Sequence, residues 1–376
     1  MGTVPADQSA PAASARLLSI DALRGFDMFW IIGGEEIAVA LARWADWPLK
    51  EEVERQLQHA PWEGFRFYDL IFPLFLFVVG AVLPFSLASH RQKGESTFRI
   101  YGRILRRTAL LFFLGLLYNG LLKLDFENLR IAGVLQRIAI CYGLAALIVL
   151  HVGWRGQAVT VVTILLGYWA LLAFVAAPGS GPGDYTKERN LPGYVDRTYL
   201  PGKIYEEYYG YGDNEGLLST IPAVATALLG ALAGQWLRAG AGAGRKVLGL
   251  LLAGVACLAV GYGWGLVFPI IKNLWTSSFV LYAGGWSLLL LAFFYGIIDA
   301  LGFRKWAFFF VVIGSNAIVI YILPKFLDFK FTADALFGGL VKQTGSFAPV
   351  AALLSVLVVE WLFLLFLFRK RLFLRV

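Results

Sequence analysis

Cysteine is nearly absent from this chain, with two among 376 residues. Neither Cys141 nor Cys257 has a partner at the spacing that a disulfide framework or a tetrahedral metal site uses. Histidine is almost as scarce, at three. His90 and His151 fall at the ends of apolar stretches, apart from His59, so no metal site is expected. Charge is short as well, since 15% of residues are Asp, Glu, Lys or Arg against 59% hydrophobic, with mean hydropathy +0.68. That balance excludes an ordinary soluble domain. There is no glycine-rich dinucleotide loop behind a strand, no P-loop and no GxSxG elbow, so the usual soluble nucleotide enzymes and hydrolases lack their signatures.

What is present in quantity is apolar sequence. A membrane-spanning helix needs roughly 20 apolar residues, and stretches of that kind lie near 18–42, 65–88, 104–122, 131–151, 157–177, 217–237, 247–270, 279–300, 306–327 and 348–368. The expected fold is an all-α polytopic membrane protein of about ten transmembrane helices. Residues 1–15, rich in Ala and Ser, read as a disordered tail. Residues 16–376 read as a single transmembrane domain, broken only by a polar loop at about 178–216.

Orientation follows from the basic connections, which stay on the cytoplasmic side during insertion. Arg91, Lys93, Arg99, Arg103, Arg106 and Arg107, the turns at Arg245–Lys246 and Arg304–Lys305, and the tail Arg369–Lys370–Arg371 fall on one side if the helices alternate. Glu51, Glu52, Glu54, Asp125, Glu127, Asp184 and the pair Glu206–Glu207 fall on the other. Both termini are then cytoplasmic, and His59 faces outward. The net charge of +8 reads as topology and contact with the lipid bilayer, not nucleic-acid binding.

The informative positions are polar residues in apolar stretches, since a charge near the middle of a span costs ~2.5–3.5 kcal/mol on insertion scales. The first helix carries Asp21, Arg24, Asp27, Glu35 and Glu36. Spacing of three allows Arg24 to pair with Asp21 or Asp27, whereas Glu35 and Glu36 have no basic neighbour on their own helix. From Arg24 to Glu35 the helix rises about 16 Å. Asp69 opens the second helix, little more than a turn below the His59 loop, and Pro73 is expected to kink that helix. Arg137 lies two turns into the fourth and calls for an acidic partner, Asp69 or Glu35. Asp213 or Asn214 is placed to cap the sixth helix and Glu215 to meet its dipole. Asn273, Ser315, Asn316 and Glu360 complete the set, with Glu360 expected to pair between helices.

Several blocks in one order carry a family resemblance. They are Arg16-Leu17-Leu18-Ser19-Ile20-Asp21-Ala22-Leu23-Arg24-Gly25, His59-Ala60-Pro61-Trp62-Glu63-Gly64, Tyr68-Asp69-Leu70-Ile71-Phe72-Pro73 and Arg130-Ile131-Ala132-Gly133-Val134-Leu135-Gln136-Arg137. Gly193-Tyr194-Val195-Asp196-Arg197, Asn214-Glu215-Gly216, Asn273-Leu274-Trp275 and Gly314-Ser315-Asn316 follow collinearly. The chain resembles the heparan-α-glucosaminide N-acetyltransferase family, and within it the bacterial, NagX-like branch, which lacks the luminal region and helix preceding this core in the animal enzyme. The resemblance implies transfer of an acetyl group from cytoplasmic acetyl-CoA to the amine of a glucosamine unit across a bacterial inner membrane, with His59 catalytic; it also admits a homodimer. Where the animal enzyme has an active-site asparagine, this chain has Glu35.

Physical chemistry then suggests roles. Attack on a thioester needs a neutral amine, a proton acceptor and donors for the developing oxyanion. His59 suits the base, or takes the acetyl group itself; Glu35 or Asp69 would orient it, as in a triad. Asn273 would donate to the carbonyl, Trp62 would stack on the sugar, and Glu215 and Arg137 are further acceptor contacts. Arg24, Arg103, Arg106 and Arg107 suit the phosphates of acetyl-CoA, whose pantetheine arm would span a distance like the Arg24-to-Glu35 rise. An O-acetyltransferase of envelope polysaccharide and an amino-sugar transporter are the alternatives.

Overall fold

The computed structural model describes residues 17–205, 208 and 210–374. The 1–15 tail and Glu206–Glu207 lie outside the described residues. The described chain is helical, with one isolated bridge between Arg130 and Gly202. In order the helices are α1 Leu18–Phe29, α2 Glu35–Trp44, α3 Lys50–Gln56, α4 Ile71–Gln92, α5 Thr97–Tyr118, α6 Val134–His151, α7 Trp154–Phe174 and α8 Leu191–Tyr199. There follow α9 Leu217–Arg238, α10 Ala243–Gly265, α11 Ser277–Tyr295, α12 Phe308–Ser315, α13 Ala317–Ile322, α14 Phe329–Gln343 and α15 Ala348–Arg369.

Among the described residues, seven helices are long and apolar enough to cross a membrane: Phe67–Gln92, Val134–His151, Trp154–Phe174, Leu217–Arg238, Ala243–Gly265, Ser277–Ala300 and Gly345–Arg369. They become eight if Phe308–Ser315 and Ala317–Lys325, bent by 72° at Asn316, form one broken span. Helix also occupies the other two expected stretches. There α1–α2 and α5 carry Asp21, Arg24, Asp27, Glu35 and Glu36, and Arg103, Arg106 and Arg107, charges that set them apart from the apolar set. The polar 178–216 stretch contains α8, packed on α9.

Close backbone approach organises the centre. A Cβ on Gly80 of α4 would lie 1.8 Å from the Ala227 carbonyl oxygen of α9, and one on Gly230 would lie 1.9 Å from that of Phe77. Hydrogen alone fits there, so α4 and α9 pack through small residues, as membrane helices without a strong hydrophobic drive do. Gly25 and Gly314 bring α1 against α12 in the same way. Leu74, Leu76, Phe77, Ala139, Ala145, Leu228 and Leu291 fill the space between α4, α6, α9 and α11.

Two helices are interrupted beside this centre. Between α1 and α2, Trp30–Gly34 forms a π-helical turn in which Gly33 has φ 128°, a region that strains any side chain. At the α12–α13 break, Asn316 donates to the Leu372 carbonyl (3.1 Å) and accepts from Leu374 N–H (3.2 Å). Pro73 does not kink α4: it lies in the first turn, where its missing N–H breaks no helical bond, and the interior proline is Pro84. Asp213 and Asn214 do not cap α9, whose N-cap is Gly216.

Candidate active site at one end of the bundle

The short turn Phe67–Leu70 ahead of α4 presents Asp69, 1% exposed, to the loop before it. Asp69 Oδ2 accepts from the backbone N–H groups of Ala60 (3.1 Å) and Arg66 (3.0 Å), which holds that loop closed over the helix start. Asp69 Oδ1 lies 2.8 Å from Nδ1 of His59. An ionised carboxylate only accepts, so in the neutral imidazole Nδ1 carries the hydrogen and Nε2 keeps its lone pair. Arg66 Nη1 donates to the His59 carbonyl at 2.9 Å, fixing the backbone beneath the ring. The imidazole, 48% exposed, is therefore oriented by Asp69, with the Lys272 ammonium 3.2 Å from its Nε2. Of the two carboxylates proposed to orient it, Asp69 makes the contact. Glu35 reaches Tyr68, whose ring lies 5.0 Å from the imidazole.

His59 opens onto a cavity of about 390 Å³ also lined by Tyr68, Arg130, Tyr205, Glu215 and Lys272, with Met28, Phe72 and Phe75 as its apolar floor. Part of the same lining is an ion cluster. Arg130 donates to Asp213 through Nε (2.9 Å) and Nη2 (2.6 Å), bonds Glu215, and lies over the Tyr205 ring at 4.4 Å. Burial lowers the basicity of this guanidinium, but the hydrogen bonds and charges of Asp213 and Glu215 outweigh that and hold its pKa above the usual arginine value. Behind it Asp196 accepts from the backbone N–H groups of Leu217 (2.9 Å) and Asp213 (3.2 Å), tying α8 to the start of α9. Burial, only partly offset by those bonds, pushes the Asp196 carboxyl up to about 6.

Toward the other end of α4 lie further cavities, two of them lined by the basic cluster. One, of about 350 Å³, is lined by Asp21, Arg24, Arg107, Ser315 and Asn316; the second, of about 460 Å³, by His90, Lys93, Glu95, Arg103, Arg106 and Arg107. Arg107 belongs to both, its guanidinium 4.3 Å from the Tyr142 ring and its Nε without a hydrogen-bond partner among the described residues. Arg103 is engaged by Glu95 at 2.9 Å. Phe75, Ile138 and Ile318 wall both the Arg24 cavity and the His59 cavity, so the two abut inside the bundle.

Other expected contacts fall elsewhere. Arg137 meets neither Asp69 nor Glu35: buried, it donates to Ser219 Oγ and lies 4.9 Å from the Trp275 ring, because α6 turns it toward α9. Trp62 donates to the Tyr185 carbonyl (2.9 Å) and packs on Tyr208, away from the cavity wall. Asn273 is not on that wall, whereas its neighbour Lys272 is. Arg24 lies 3.7 Å from Asp21, while Asp27, fully buried, has no hydrogen-bond partner for either oxygen among the described residues. Glu360 Oε2 likewise has none.

An oriented imidazole beside a largely apolar cavity that also carries charged groups, inside a bundle of membrane-length helices, defines a membrane-embedded enzyme-like protein. A model for a domain of unknown function, DUF5009, matches residues 16–175. The chain is 28% identical over 377 residues to the human heparan-alpha-glucosaminide N-acetyltransferase, covering 85% of this chain and 54% of that protein. Its mouse counterpart is 27% identical over 330 residues, covering 73% and 50%. The chain spans about half the length of the curated relatives it matches. Both matches make the chain similar to heparan-alpha-glucosaminide N-acetyltransferases.

Proposed function

We propose that the protein is a multi-pass membrane N-acetyltransferase that moves the acetyl group of acetyl-CoA to the amine of a glucosamine-type sugar. In this reading the ten apolar stretches all cross a bacterial inner membrane, both termini are cytoplasmic, and residues 16–376 form one catalytic domain. Arg24 and Arg107, with Arg103 and Arg106 at the rim, hold the coenzyme phosphates on the cytoplasmic side. The thioester reaches the His59 cavity from below, and the sugar arrives from the periplasmic side.

The observation that carries the reading is the shared wall of Phe75, Ile138 and Ile318. An arginine-lined cavity at one end and an imidazole-lined cavity at the other meet there, so a long, thin co-substrate can bridge them without crossing the membrane. At the far end His59 Nε2 accepts the amine proton as the amine attacks, while Asp69 stabilises the imidazolium that forms. Glu215 and Arg130 flank the position of the sugar. The helix breaks at Gly33 and Asn316 would also suit an amino-sugar transporter, whereas the Asp69–His59 pair favours chemistry.

The test is transfer by the purified protein supplied with acetyl-CoA and glucosamine. An alkali-stable amide is the expected product, lost in His59→Ala while acetyl-CoA still binds. An alkali-labile ester would make the acceptor a hydroxyl. Glucosamine counterflow without acetyl-CoA would make the protein a transporter.

A further inference from the structure

A second charged group stands at the imidazole. Lys272 Nζ lies 2.9 Å from Nδ1 and 3.2 Å from Nε2 of His59, and 3.5 Å from Asp69 Oδ1. Its side chain is 18% exposed. It thus forms an ion pair with Asp69, whose Oδ1 also meets the imidazole and whose Oδ2 accepts from two backbone N–H groups.

The segment that carries Lys272 is held on several sides. Gly64 N–H donates to the Ile270 carbonyl at 2.8 Å, joining this segment to the His59 loop. Thr276 Oγ1 accepts from Ile271 N–H (3.1 Å) and donates to the Pro269 carbonyl (2.8 Å). Trp275, buried with φ 52°, donates through its backbone N–H to the Lys272 carbonyl at 2.9 Å and through its indole to Thr226 at 3.0 Å. A large side chain in the left-handed region is strained, and such strain persists only where the surroundings over-determine it, as they do at functional sites.

We propose that Lys272 is a catalytic residue of the transfer reaction, its ammonium donating to the thioester carbonyl oxygen as that oxygen becomes negative. The proposal rests on the acetyltransferase reading above. As the amine nitrogen bonds to the carbonyl carbon, the C=O π pair moves onto oxygen and His59 Nε2 takes the amine proton. When the C–S bond breaks, that pair returns, and the proton on His59 passes to the departing thiolate. Free thiol and amide are the products, and base and lysine end as they began. An oxygen seated on Nζ would lie beside Nε2, where the attacking amine must also be. A fixed cation inside a cavity of low polarity stabilises such an oxyanion far better than it would in water. Lys272, not Asn273, therefore takes the role of oxyanion donor.

Full-length Lys272→Met and Lys272→Arg, with Lys272→Gln should the methionine variant fail to fold, test this. Steady-state rates are measured with acetyl-CoA and glucosamine. Affinities are measured for two inert coenzyme analogues, a methyl ketone with CH2 in place of sulfur and its trifluoromethyl counterpart, which hydrates to a tetrahedral centre. Loss of the ammonium is expected to lower kcat by about 10²–10³-fold with KM for either substrate nearly unchanged, and arginine to restore part of it. The tetrahedral analogue should lose affinity and the flat ketone should not. A kcat within about threefold of wild type, or equal weakening of both analogues, would overturn the assignment. If the wild type acetylates no amino sugar yet its preference for the tetrahedral analogue vanishes without the lysine, the acceptor is wrong and the role of Lys272 stands.

Discussion

Asp69→Asn separates orientation of the imidazole from its presence. The Oδ2 position faces two backbone N–H donors, Ala60 and Arg66, so the amide oxygen of asparagine must take that place. Its NH2 group is then turned toward His59 Nδ1, where Asp69 now accepts at 2.8 Å. Two donors cannot share that contact, so the imidazole adopts the other tautomer, with the hydrogen on Nε2, and the nitrogen facing the cavity can no longer accept a proton. The wrong tautomer in a histidine-dependent triad costs about 10⁴ in kcat, and a drop of about 10³–10⁴ is expected here, or ~4–5 kcal/mol in barrier height. One lost charge-assisted hydrogen bond costs about 1.5–3 kcal/mol of stability, which leaves a folded protein. The assay is release of free thiol from acetyl-CoA in the presence of glucosamine, with kcat and both KM values determined and folding checked by thermal melting in detergent. A variant that retains kcat within about tenfold would refute the assigned tautomer and with it the role of Asp69.

Three further outcomes follow from the same geometry. Arg107→Ala is expected to raise KM for acetyl-CoA about tenfold or more with little effect on KM for the sugar; equal change in both would mean that the two cavities do not serve separate substrates. Arg130→Ala strands Asp213 and Glu215 in a buried wall and should destabilise by about 3–5 kcal/mol, read as a lowered melting temperature, with partial recovery in Arg130→Ala/Asp213→Asn. The Asp196 carboxyl is raised from 3.8 to about 6, so its contribution favours the fold fully below about pH 4 and is lost as pH rises through about 6. That amounts to ~3 kcal/mol, visible as a fall in melting temperature over this range that Asp196→Asn flattens; identical pH profiles would contradict it.

Legibility differed between kinds of feature. Apolar length located the membrane-type helices directly, because spanning a bilayer demands a contiguous run that no other constraint imitates. It does not separate α1–α2 and α5, whose charges stand in the sequence, from the apolar set, nor does it show that Asn316 bends a span by 72°. His59 and Asp69 were readable because ten residues of chain connect them and a short turn brings them together. Lys272 was not, being 213 residues from His59 and seated beside an asparagine that drew the same role. The Arg130–Asp213 pair joins residues 83 apart, and Arg137 was assigned a carboxylate when helix rotation gives it Ser219 and the Trp275 ring. Contacts between separate helices depend on facing and depth, which a run of apolar letters leaves open. The aromatic face of Trp62 suggests a sugar platform, and the structure places that ring against Tyr208, outside the lining of the His59 cavity.

The central claim is that donor and acceptor approach His59 from opposite ends of the bundle. The most direct measurement uses oriented proteoliposomes, with acetyl-CoA confined to the side bearing Arg24 and Arg107 and glucosamine confined to the side bearing His59. N-acetylglucosamine forming only in this arrangement, and on the His59 side, is the predicted result. Product appearing only when both substrates share one compartment would contradict the account.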